Sequence, residues 1–176
     1  NADFVFEMTD SYRARQKAFY EQYQKALAAL DTTGLDAEQK TSYGIMQWET
    51  GMGLQMLQQP INLVPINQFS SVHLAMGQLA SGTSAQPFKT EKDYRNFLSR
   101  MDKFSVWVDS AMVYMKKGMA KGYVLPRALT LKVIPQFEEV ITSKPEDNLY
   151  YSAIKLMPAG FSAETKKQLA ADYAQL

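Results

Sequence analysis

The chain has 176 residues, 46% of them hydrophobic and 21% charged, with a formal net charge of +1. That is the composition of one ordinary globular domain, and it excludes a disordered tail and any electrostatic case for nucleic acid. With no Cys and a single His, His73, disulfide frameworks, thiolate zinc sites and cysteine nucleophiles are excluded, and a catalytic zinc site lacks the His it usually takes.

Asn1-Ala2 reads as the remnant of a cleaved expression tag, leaving residues 3–176 as a single helical domain. The first helix is predicted from about Thr9 to Leu30, with Tyr12, Phe19, Tyr23, Ala26, Leu27 and Leu30 on its apolar face. Thr33-Gly34 closes it. Asp36 with Gln39 forms a capping box for a second helix that carries Tyr43, Met46, Met52, Met56 and Leu57. Gly44, Gly51 and Gly53 weaken that helix and mark either close packing or a break. An irregular, Pro-containing connection follows over about 60–89, pinned by Pro60 and Pro65. Within it, Ser70 to Ala80 is a short helix with Val72, Met76 and Leu79 on one face.

Thr90 caps a long helix to about Lys121, with Glu91 and Asp93 at the positive end of its dipole. Its stripe is Tyr94, Phe97, Leu98, Met101, Phe104, Val108, Met112, Met115 and Met119, broadened by Trp107, Ala111 and Tyr114. Gly122 ends it. Ala128 to Ile141 is the next helix, with Leu129, Val133, Phe137, Val140 and Ile141 inward and Pro135 kinking it or delaying its start. A short piece over Leu149 to Leu156 and a final helix from Ser162 to about Tyr173 complete the chain. No segment alternates as a strand, so the fold class is all-α, with several long antiparallel helices.

Candidate chemistry is sparse. His73 has no Ser, Asp or Cys partner recognisable by spacing, and it reads as a His hydrogen-bonded at a surface or packing edge. Glu138-Glu139 and Glu146-Asp147 read as solvated faces, because adjacent helical residues do not face each other. Lys116, Lys117, Lys121 and Arg127 complement a helix C-terminus. Most of the ten Met residues fall at core spacing, while Met46, Met52 and Met56 are the ones suited to face a partner. Asn67, Gln68 and Phe69 are the loop residues of interest. In a structural role, Asn67 and Gln68 bond the loop backbone and Phe69 plugs the core; in a functional role, one amide points into a cleft and holds substrate backbone.

Two segments carry a family pattern: Pro65-Ile66-Asn67-Gln68-Phe69-Ser70, and Tyr94-Arg95-Asn96-Phe97-Leu98-Ser99-Arg100-Met101 followed by the stretch from Gly118 to Pro126-Arg127. In order and spacing these resemble the N-terminal part of the bacterial family called domain of unknown function 885, over about Leu30 to Leu156. Members of that family look like large helical zinc metallopeptidases, often exported and often lipoproteins. The resemblance implies a non-catalytic N-terminal portion of such a protein, forming one wall of a substrate cleft, in the periplasm or cell envelope and with a lipid anchor. The zinc and its His-Glu signature are expected in the rest of the parent polypeptide, so no catalytic or metal-binding residue carries over to this chain. The implied partners are that remainder and a peptide substrate, with no nucleic acid and no membrane-spanning segment. Where relatives often have Gly after Asn-Gln-Phe, this chain has Ser70-Ser71. The competing readings are a free-standing helical binding or scaffold module and, last, a metal-independent enzyme using His73.

Overall fold

The computed structural model describes residues 4–175, and Asn1-Ala2 lies outside them. The described residues contain seven α-helices and no strand, so the fold is all-α. They are α1 (Asp10–Ala28), α2 (Ala37–Met56), α3 (Val72–Ala80), α4 (Glu91–Lys121), α5 (Arg127–Glu138), α6 (Ser152–Lys155) and α7 (Ala163–Tyr173). Short 3-10 turns lie at Pro60–Leu63, Pro145–Asp147 and Leu149–Tyr151. No helix is long and apolar enough to cross a membrane.

The axis of the molecule is α4, whose 31 residues span about 45 Å at about 1.5 Å each. Thr90 and Asp93 cap it reciprocally, and Gly122 ends it in the left-handed conformation at φ 77°. Its buried line is Tyr94, Phe97, Met101, Phe104, Trp107, Ala111, Tyr114 and Gly118. The predicted stripe agrees as far as Phe104 and then departs, because Met112 and Met119 face solvent. Two successive steps of four residues, Phe104 to Val108 to Met112, rotate the line around a helix of 3.6 residues per turn. The mixed three- and four-residue steps through Trp107 and Ala111 hold it on the core. At the N-terminal end of α4, α7 closes the core with Leu169 and Tyr173.

The helices α1 and α2 form a hairpin that packs chiefly on itself. Gly53 makes the close approach possible: a Cβ there would sit 2.5 Å from the ring of Tyr20. Gly53 therefore marks close packing in an unbroken α2, whereas Gly44 faces open space. The hairpin is tied to α4 at its base, where the Asp10 amide donates to the Tyr114 hydroxyl at 2.8 Å and Lys117 pairs with Asp10 at 3.4 Å. Arg13 donates to the carbonyls of Leu57 and Gln59, closing the end of α2. The expected inward face of α1 is only partly buried: Leu27 is inside, whereas Phe19, Tyr23 and Leu30 are exposed. The reason is that a two-helix hairpin offers each helix one neighbour, which cannot cover a wide apolar stripe.

The helix α5 begins one residue early and continues through Pro135, whose side faces solvent. Val133 is buried and Phe137 packs on the core, but Ile141, expected inward, is 78% exposed.

Candidate functional site

Pro60 opens a 3-10 turn with its fixed φ, and Leu63 and Ile66 bury on either side of Pro65. These two anchors hold the connection against α4, where the Leu63 carbonyl lies beside Gly118. Asn67 follows. Its Oδ1 accepts from the amides of Phe69 and Ser70, at 2.8 and 2.9 Å, a turn in which a side chain stands in for a backbone carbonyl. The turn lifts Phe69 out to 84% exposure. Phe69 therefore does not plug the core, and Leu63 and Ile66 fill that place. Gln68 differs from its neighbour: its Oε1 is buried without a hydrogen-bond partner among the described residues, and its backbone carbonyl is the bonded group.

That carbonyl accepts from Gln136 Nε2 at 3.2 Å, which turns Gln136 Oε1 toward His73 Nε2 at 3.1 Å. His73 Nε2 accordingly carries a proton, an assignment made from the hydrogen-bond network. In the neutral ring Nδ1 is then bare and faces the Ser71 hydroxyl at 2.5 Å. The single Ser71 proton lies between two acceptors, Nδ1 and the Asn67 carbonyl 2.9 Å away. The ring stacks on Phe137 with centroids 4.4 Å apart. Spacing alone missed this chain of contacts, because Gln136 stands 63 residues from His73. The Ser-x-His at the start of a helix was its one local signal. With Ser71 and His73 both buried and the ring flat on Phe137, the arrangement ties the Asn67 turn to α3 and α5.

Burial pushes the His73 pKa down, and the bond to Gln136 offsets part of that. The unfolded chain then binds more protons than the folded one below the ordinary His value of 6.5. Stability is fully present above that value and is lost as pH falls toward the folded pKa. Thermal melts are expected to drop between pH 7 and pH 5, and to drop less in His73→Gln. Equal pH slopes for the two proteins would remove His73 from this role.

Above α4 the same loop borders a cavity of about 590 Å³, closed on its other sides by α3 and the segment before α1. Met8, Met76 and Trp107, all buried, line it from within. Val64, Val72 and Leu79 add apolar walls, and Glu7, Asn67 and Ser70 supply polar groups. Arg100 reaches it from α4 and donates to Gln86 Oε1 at 3.0 Å. Asn67 is thus both the pivot of the turn and a cavity-lining residue, whereas Phe69 stands outside.

Among the described residues no group of three or more His, Cys, Asp or Glu is placed to hold a metal ion. The described residues thus bring too few ligands together for zinc, which the resemblance places in the rest of the parent polypeptide. Glu138-Glu139 and Glu146-Asp147 are exposed. Of the suspected methionines, Met46 and Met56 are exposed and Met52 is half-buried.

Residues 3–176 match the family model described as a bacterial protein of unknown function, DUF885. No curated protein and no solved structure matches the chain.

Proposed function

This chain belongs to the bacterial DUF885 family, and on that premise we propose that it is the non-catalytic N-terminal helical portion of a larger zinc-metallopeptidase-like protein, forming one wall of its substrate cleft. Export to the periplasm or cell envelope, with a lipid anchor, belongs to the same reading and rests on the family resemblance. The observation that carries the proposal is the apolar surface the domain leaves uncovered. Ile45 is 56% and Trp48 62% exposed on α2, Phe69 stands out from the loop, and Leu131, Ile134 and Ile141 are exposed on and beyond α5. Scattered exposed apolar residues are ordinary, but exposed apolar pairs three residues apart on both α2 and α5 suit burial against further chain. A free-standing module would be expected to keep such positions polar.

The chain has no Cys, so Ile45→Cys and Ile134→Cys each introduce a unique thiol within these residues. Maleimide should label both readily in this chain and slowly in the parent polypeptide, with labelling read by mass spectrometry of the tagged peptide. The parent should hydrolyse peptides in a chelator-sensitive way. Equal labelling in the two proteins would replace this reading with the free-standing module.

A further inference from the structure

We propose that the cavity bordered by Asn67 is a specificity subsite for a bulky apolar side chain, aromatic or branched aliphatic, of a peptide lying across its mouth. The proposal deepens the cleft-wall reading and rests on it for the polypeptide nature of the ligand. The cavity itself supplies the rest. Its volume of about 590 Å³ is of the size small-ligand sites have, with Met8, Met76 and Trp107 as buried apolar lining.

The polar groups select what lies above the apolar group. Asn67 Oδ1 is held by the amides of Phe69 and Ser70, so the side chain is fixed and its Nδ2 remains a donor. Glu7 adds a carboxylate acceptor and Ser70 a hydroxyl that can do either. A peptide backbone presents a carbonyl and an N–H in alternation, and this set offers a partner to each. A fatty acid fits less well: it brings no N–H for the Glu7 carboxylate to accept from, whereas a peptide backbone does. An acidic peptide residue is opposed by the apolar lining, which would strip water from its charge.

Trp107 gives a direct readout, because it lines the cavity and the chain has one other Trp, the exposed Trp48. In a Trp48→Phe background Trp107 is the sole indole. Its emission should respond saturably to a blocked pentapeptide of alanines with phenylalanine at the centre. The all-alanine peptide and one with a central aspartate should bind at least about tenfold more weakly. Ala75 is exposed on α3 and borders the cavity, so Ala75→Phe should fill it without disturbing the core and weaken the phenylalanine peptide by at least about tenfold. Ala14→Phe, on the exposed side of α1, should change nothing. The subsite is overturned by no saturable response, by equal binding of the phenylalanine and alanine peptides, or by an Ala75→Phe protein that binds normally. Tighter binding of dodecanoate than of the peptide would make the cavity an acyl-chain site instead. Failure here with a hydrolytically active parent removes only the subsite; peptide binding here with an inactive parent removes only the metallopeptidase reading.

Discussion

Replacing Gly118 with Ala is expected to destabilise the protein by about 2–3 kcal/mol, although Ala is the better helix former. Gly118 is where α4 meets both the connection and its own C-terminal turn. A Cβ placed there would lie 2.6 Å from the Tyr123 carbonyl oxygen, 2.7 Å from the Leu63 carbonyl oxygen and 3.3 Å from Leu63 Cβ. Two of those three neighbours are backbone, which no rotamer change can move. The Tyr123 amide also donates to the Gly118 carbonyl at 2.9 Å, so the end of the helix and the close approach are one feature. Either the 3-10 turn at Pro60–Leu63 lifts from α4 or the end of α4 unwinds. A drop in melting temperature of roughly 5–10 °C should follow. Gly44 is the control: nothing lies within 4 Å of its Cβ position in mid-helix, so Gly44→Ala should be neutral or stabilising by up to about 1 kcal/mol. Should both variants melt like the parent protein, the connection does not rest on α4 as described.

Tyr94→Ala is expected to cost still more, about 3–5 kcal/mol, a large share of the roughly 5–15 kcal/mol that holds a domain folded. Tyr94 is completely buried and sits among four rings, those of Phe88, Phe161 and Tyr173 directly and Phe97 beside it. Its hydroxyl donates to the Ala153 carbonyl at 3.3 Å, and its own carbonyl accepts from the Tyr173 hydroxyl at 3.1 Å. These bonds fasten α6 and α7 to the start of α4. Burial pushes both phenols up, Tyr173 also through Tyr94 and Tyr94 also through Asp93, so they stay neutral at ordinary pH. Tyr94→Phe keeps the ring and loses only the bond to Ala153, for about 1 kcal/mol. Urea denaturation of the three proteins separates ring from hydroxyl. A Tyr94→Ala protein less than about 1 kcal/mol below the parent would mean that α7 is not held by this cluster.

The candidate site was legible in part. Asn67 stood out as an amide on a loop fixed by two prolines, and it is the residue that forms the turn and lines the cavity. The fate of Phe69 was not legible. Its apolarity argued for burial, yet the turn made by Asn67 reverses the chain at that point, and a reversal dictates direction whatever the side chain. The His73 contacts were hidden for a different reason. Gln136 is an unremarkable polar residue on α5, and only packing of α5 against α3 makes it a partner.

Local chemistry written in adjacent residues was decided by the sequence itself. The reciprocal caps at Asp36–Gln39 and Thr90–Asp93, the Gly122 terminus and the all-α class each depend on dihedral preferences and hydrogen bonds that close within about one helical turn. Tertiary structure decided which of several apolar lines on a helix is inside. On α4 it chose Trp107, Ala111 and Gly118 over Met112 and Met119, and on α1 it left Phe19 and Tyr23 in the open. Periodicity fixes the angular spacing of apolar residues around a helix but not the direction from which neighbours arrive. Burial is conferred by those neighbours, and they come from distant parts of the chain.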